Sequence, residues 1–162
     1  MAAPARRLLK LLVLNGKGMD ERCTTASSKA YFRSTATLPD YEEHIQRAGQ
    51  ELGVSIVHVQ TNDLEECISR LSSSSEDAVL INPAGFMKEP SLVECLTAMQ
   101  KPVIEVHYGN FYAKGAFSEV TKACTGIVAG AKLDSYTLGM RAAIAALQPE
   151  YTRFDYVPEQ SA

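Results

Sequence analysis

The chain has 162 residues and a formal net charge of −3, and 46% of its residues are apolar and 22% charged. This size and composition predict one globular domain with a sizeable buried core. The longest basic run is Arg6-Arg7, and no apolar stretch approaches the roughly 20 residues of a membrane span, so we expect neither nucleic acid nor membrane as a partner.

The opening MAAPARRLLKLLVLN is basic and then apolar, as in a signal peptide. No small-residue cleavage site follows it, and its apolar part is better interpreted as a strand. The four cysteines are widely spaced and form no C-x-x-C pair, which predicts reduced thiols in a cytoplasmic protein. Because no cysteine and histidine residues lie close together in sequence, no metal site is expected.

Apolar segments at 8–15, 54–60, 78–82, 103–107 and 125–130 predict five strands, taken in chain order. Helical spacing between them predicts helices at about 40–52, 62–71, 90–99 and 135–147. Asp40 and Glu43 have the spacing of a capping box, Gly53 suits a helix end, Asn62 suits the next N-cap and Pro90 a first helical turn. Alternating strands and helices predict a flavodoxin-like three-layer α/β/α sandwich around a five-stranded parallel sheet. Residues 1–147 would form this domain and 148–162 a C-terminal tail.

The segment 16–39 has no steady apolar period and is rich in serine, threonine and lysine. A connection of about 24 residues is long for a compact domain, and such loops are usually functional. It follows the first strand directly and therefore begins at the edge of the sheet where doubly wound folds bind ligands. We expect it to be a mobile lid over a pocket at that edge.

Several side chains near the carboxyl ends of the strands could act on a ligand. His107 closes the fourth strand and is either a general acid or base or a histidine bonded to loop backbone. Asn82 either binds a ligand or braces the turn at Pro83, and Asn110 is a turn residue. Tyr31 is either a base or a surface aromatic; a tyrosine needs nearby cations to act as a base, since its reference pKa is about 10.

The text after the first strand, NGKG, lacks the spacing of a nucleotide-binding loop, so no cofactor is expected.

Five segments resemble, in order, the motifs of the type II 3-dehydroquinate dehydratases. The family motifs are L-N-G-P-N, Q-S-N, I-N-P-G-A, E-V-H-x-S-N and G-V-I-x-G. The matching segments here are LNGKG, QTN, INPAG, EVHYGN and GIVAG.

This resemblance implies a hydro-lyase that acts without a metal through an enolate, in the shikimate pathway, on a small cyclic carboxylic acid. By the resemblance, Tyr31 removes a proton beside the ketone and His107 protonates the leaving hydroxyl. The family's G-T-R motif is absent from the lid, so the resemblance leaves Arg22 or Arg33 to activate the tyrosine. The substrate-binding positions fall on Asn82, Lys88, Gly109 and Asn110. The resemblance also implies a homo-oligomer built of trimers, such as a dodecamer.

Some family positions are exchanged in this chain. The second asparagine of N-G-P-N is Gly18, the histidine of T-H-T-S is Lys88, a cross-subunit aspartate is Cys95, and an arginine is Ser118. Each lost bond to a buried ligand hydroxyl costs about 1–3 kcal/mol, so we expect weak turnover of 3-dehydroquinate.

Two alternatives to a hydro-lyase are a catalytically silent paralogue that binds a small acid or supports assembly, and a flavin-binding flavodoxin. The flavodoxin lacks support, because the first loop has no phosphate cradle.

Overall fold

The computed structural model describes residues 6–151, which form a five-stranded parallel sheet of order β2-β1-β3-β4-β5 with helices on both faces. The strands are β1 (Lys10–Lys17), β2 (Ser55–Gln60), β3 (Ala78–Ala84), β4 (Val103–His107) and β5 (Gly126–Ala129). The helices are α1 (Ala26–Phe32), α2 (Leu38–Leu52), α3 (Leu64–Ser72), α4 (Pro90–Ala98) and α5 (Asp134–Ala146). Two short 3-10 turns, Phe111–Lys114 and Val120–Ala123, follow β4. The predicted flavodoxin-like sandwich is confirmed.

The core consists of two apolar layers, one on each face of the sheet. On β1, Leu11 and Val13 pack with residues of α2 and α5, while Leu12 and Leu14 pack with residues of α3 and α4. Successive side chains of a strand point to opposite faces, so an uninterrupted apolar run is buried on both. Short segments in which every residue is apolar, with no alternation of polar and apolar residues, therefore predicted the strands.

Two helix starts differ from the sequence prediction. Thr37, rather than Asp40, is the N-cap of α2, and the Asp40 carboxylate accepts a 2.8 Å bond from the Thr37 backbone N–H, which completes a capping box one turn earlier. Asp63, rather than Asn62, caps α3 and accepts from the Glu66 backbone N–H at 3.0 Å. Asn62 instead accepts from the Gly18 backbone N–H at 2.9 Å and so ties the start of the long loop to the end of β2.

The segment 16–39 is not structureless, because it contains α1, which the sequence did not predict. None of the seven residues of α1 is buried, so no apolar period marks it.

Only 148–151 of the predicted tail lie within the described residues. Across residues 6–151, no helix has both the length and the apolar content to cross a membrane.

Candidate active site

A cavity of about 380 Å³ opens at the carboxyl ends of β1, β3 and β4, the edge where the sequence predicted a site. The long loop with α1 covers one side of it, and the segments that follow β3 and β4 form the rest. Its lining residues are Lys17, Gly18, Arg22, Tyr31, Phe32, Ala84, Gly85, Met87, His107, Tyr108, Gly109, Phe111, Lys114 and Ala116. Cationic side chains therefore make up much of the polar part of the wall, and aromatic side chains make up much of its apolar part.

His107 is the last residue of β4 and is fixed from behind by Glu105. Its Nε2 atom lies 2.7 Å from the Glu105 Oε1 atom, because residues two apart on a strand share a face. Only 7% of His107 and none of Glu105 is exposed. A carboxylate can only accept, so Nε2 carries the proton of this bond and Nδ1 remains for a ligand. The Phe111 ring packs against the imidazole with 4.3 Å between centroids.

Glu105 is a buried carboxylate with a complete set of donors. Burial alone would raise the pKa of the Glu105 carboxyl, but hydrogen bonds from His107, Ser118 and Thr121 hold that pKa below its usual value. The Ser118 hydroxyl donates to Oε1 at 2.6 Å, and the Thr121 hydroxyl donates to Oε2. Glu105 therefore stays charged at neutral pH, stabilises positive charge on the imidazole and orients it, as the aspartate of a catalytic triad does.

Tyr31 reaches the cavity from the end of α1, and 68% of it is exposed. Lys114, from the 3-10 turn after β4, contacts it. The Lys114 Nζ atom donates to the Tyr31 backbone oxygen at 3.3 Å and lies 5.0 Å from the centroid of its ring. Lys114 therefore places a positive charge beside the Tyr31 ring.

Arg22 also lines the cavity, but it stacks on a different ring. Its guanidinium carbon lies 4.4 Å from the centroid of the Phe32 ring. Its Nε atom is buried without a hydrogen-bond partner, as is the Tyr41 hydroxyl behind it. Burial raises the pKa of Tyr41, and the nearby Arg22 charge opposes that rise.

Asn82 lies beneath the cavity, in a chain of buried polar groups. Its amide oxygen accepts from the Ala84 backbone N–H at 3.2 Å, so its Nδ2 atom must donate to the Tyr136 hydroxyl, at 3.0 Å. That hydroxyl donates to the Asn15 amide oxygen, and the Asn15 Nδ2 atom lies 2.7 Å from His58 Nε2. This arrangement matches the interpretation of Asn82 as a brace of the turn; its role toward substrate stays a prediction.

Of the other residues predicted to bind substrate, only Gly109 lines the cavity. Asn110 accepts from the Ala113 backbone N–H at 3.3 Å and thereby caps the 3-10 turn. Arg33 is exposed at the end of α1 with φ of 49°, and Lys88 is exposed beyond Met87. Their roles toward substrate also stay predictions.

Comparison with known proteins agrees with this geometry. The model of the dehydroquinase class II family matches residues 9–144. The chain belongs to this family. The 3-dehydroquinate dehydratase of Leptothrix cholodnii is 32% identical over 143 residues, which cover 84% of this chain and 94% of that protein. That of Edwardsiella ictaluri is 30% identical, with 85% and 94% covered.

Solved dehydroquinase structures share the fold. The type II dehydroquinase of Propionibacterium acnes superimposes with a TM-score of 0.70 at 27% identity, over 84% of this chain and 98% of that chain. The enzyme of Butyrivibrio crossotus superimposes with a TM-score of 0.76 over 85% and 98% of the two chains, although only 18% of residues are identical, and so it supports the fold alone.

The exchanged dehydroquinase positions are not gathered in one place in this chain. Ser118 lies behind His107 and bonds to Glu105, and Gly18 lines the cavity. The Cys95 sulfur lies between α3 and α4, 3.6 Å from the Ser72 hydroxyl. Within one chain, none of Lys88, Cys95 and Ser118 lines the cavity.

The sequence interpretation of the dehydroquinase site missed Glu105 and Lys114. Glu105 carries a detectable signal, because a charged residue inside an apolar strand, two positions before His107, must face the same side and needs a partner. Lys114 carries none, since its contact with Tyr31 spans 83 residues of sequence. Lys17, Phe32, Met87 and Phe111 were missed in the same way.

Proposed function

We propose that this protein is a hydro-lyase that removes water from 3-dehydroquinate or a related cyclic hydroxyketo acid. The observation that carries this is the pair of His107, held by Glu105 at 2.7 Å, and Tyr31 with its adjacent Lys114, on the wall of one cavity. An acid and a base on the same cavity are what a stepwise elimination needs.

In the proposed reaction the Tyr31 phenolate takes a proton from the carbon beside the ketone, and the electron pair moves to the ketone oxygen as an enolate. His107 then gives a proton to the hydroxyl, the carbon–oxygen bond breaks, and water and a conjugated enone leave. The Glu105 carboxylate stabilises the positive imidazole before this transfer. The Nδ1 atom makes no hydrogen bond within residues 6–151 and is the atom placed to deliver the proton.

The test is the absorbance of the conjugated enone formed from 3-dehydroquinate by the purified protein. We expect turnover that is slower than that of the Leptothrix cholodnii relative, because Gly18 has no side chain and because Lys88, Cys95 and Ser118 do not line the cavity within one chain. Tyr31→Phe, which keeps the ring and removes the proton acceptor, is expected to lower turnover by about a hundredfold or more. Unchanged turnover in Tyr31→Phe would contradict the assigned base, and turnover as fast as the relative's would contradict our interpretation of the substitutions. A protein that binds the substrate and never converts it would be the silent paralogue.

We also propose a cellular setting and an assembly. A cytoplasmic place is supported by Cys23, Cys67 and Cys95, which carry free thiols. A homo-oligomer of trimers, a dodecamer included, and a place in the shikimate pathway are supported by family membership. Analytical ultracentrifugation of the purified protein would test the assembly.

A further inference from the structure

A second cavity of about 450 Å³ lies against the first, within the long loop. Gly18, Arg22 and Phe32 line both cavities, so the two adjoin along these residues. The second cavity has a polar wall with the hydroxyl residues Thr24, Thr25 and Ser28. Glu21, the one carboxylate residue that lines it within residues 6–151, is exposed to solvent. A ligand in the first cavity therefore has room to extend into a polar space.

Gly18 lines both cavities at the place where they adjoin, and it has no side chain. Its φ is +90°, a conformation that favours glycine, and a Cβ atom placed on it would meet nothing within 4 Å. A longer side chain here would extend into that free space. The family motif quoted above has asparagine at this position, so this chain lacks a side chain that the motif places here.

The first cavity has more positive charge than one carboxylate requires. Lys17, Arg22 and Lys114 line it, and within residues 6–151 no aspartate or glutamate does. None of the three forms an ion pair with any residue of the described range 6–151. The buried Nε atom of Arg22 has no hydrogen-bond partner within that range, and the guanidinium lies beside the Tyr41 hydroxyl. An arginine donor left without a partner in a cavity is typical of sites for carboxylate or phosphate groups.

We infer that the natural substrate of this site is a cyclic acid with a second anionic group, which passes Gly18 and binds Arg22 in the second cavity. This inference rests on the proposed function for the ring itself. The first anionic group stays with Lys17 or Lys114 beside His107 and Tyr31. The aromatic residues Phe32 and Phe111 then pack on a ring that carries fewer hydroxyl groups than dehydroquinate does.

Binding of small aromatic acids tests this without knowledge of the substrate. Isothermal titration at fixed ionic strength would compare benzoate, isophthalate, 3-(carboxymethyl)benzoate and the monomethyl ester of isophthalate. We expect at least one of the two dianions to bind about tenfold or more tightly than benzoate. The monomethyl ester has the size of isophthalate with a single charge, and it is expected to bind like benzoate. No advantage of either dianion over benzoate, or no binding of any probe, would overturn the inference.

Two substitutions locate the second group. Gly18→Asn should bind benzoate like the parent and lose most of the advantage of the dianion, whereas Gly18→Ala, which has the same unfavourable φ and little bulk, should keep most of it. Arg22→Met should lose the advantage as well. If the advantage survives in both Gly18→Asn and Arg22→Met, the second cavity is not the site. Thermal unfolding of each variant verifies that it is folded.

The outcome is separable from that of the proposed function. Fast turnover of 3-dehydroquinate together with no preference for dianions would leave the hydro-lyase intact and overturn only this inference. A preference for dianions that depends on Gly18 and Arg22, with no turnover of 3-dehydroquinate, would support the inference and direct the search to dianionic cyclic acids.

Discussion

The two walls of the cavity that carry the proposed acid and base differ in how they are built. His107 is 7% exposed, ends a central strand and is bonded to a buried carboxylate that itself has three donors. Tyr31 is 68% exposed, on a helix with no buried residue. The acid is therefore preorganised by the sheet, while the base depends on a surface segment. Groups that need not rearrange during reaction are the more effective catalysts, so the two walls should respond differently to change.

The largest effect is expected from His107→Ala on the preorganised wall. Loss of a positioned general acid should lower turnover of the substrate by roughly two to four powers of ten. The fold should be retained, because the side chain lies at the end of its strand. The measurement is kcat on whichever cyclic acid the protein converts, beside circular dichroism of the variant. Full activity in His107→Ala, together with loss of activity in Tyr31→Phe, would mean that a residue other than His107 is the general acid.

Amide hydrogen exchange would measure the contrast between the walls directly. The backbone bonds of residues 19–24 are long, 3.3–3.4 Å from donor to acceptor, whereas β4 pairs with β3 on one side and β5 on the other. We expect amides of the lid to exchange about a hundredfold or more faster than those of Val103–His107. The helix α2, which follows the lid and packs on the core, serves as the control. Equal protection in lid and strand would contradict the mobile lid.

The sequence predicted the preorganised wall better than the exposed one. Strand β4 is apolar except at Glu105, and it ends in a histidine at the edge where such folds bind ligands. The five residues of the strand are enough to predict both the strand and the position of the histidine. The lid wall depends on Lys114, which meets Tyr31 only after the chain has folded. Helix α1 left no apolar period because it buries nothing, and the starts of α2 and α3 were displaced because several polar residues in a row can each cap a helix.

Glu105→Gln tests how much the ionised Glu105 carboxylate stabilises the fold. Because the folded pKa of Glu105 is lowered, its ionised form stabilises the fold above the unfolded pKa of about 4.3, and this contribution is lost as pH falls through the folded pKa. We expect the variant to be less stable than the parent by about 1–3 kcal/mol at pH 7, the cost of disturbing a buried charged group. Urea unfolding of both proteins at pH 7, 5 and 3.5 should show this difference shrink toward acid. Other carboxylates titrate alike in both proteins, so a constant difference would mean that Glu105 is not the cause.

The smallest effect is expected at Lys114, on the exposed wall. Its charge is open to solvent and therefore screened, so Lys114→Met should lower turnover by only about three- to tenfold. Lys114→Arg keeps the charge and should restore most of the turnover, although it changes the bond to the Tyr31 backbone oxygen. A loss in Lys114→Met that Lys114→Arg does not restore would mean that Lys114 only holds the long loop in place. Among the described residues, Lys17 and Arg22 would then be the cations of the cavity wall that remain as candidates to act on the bound substrate.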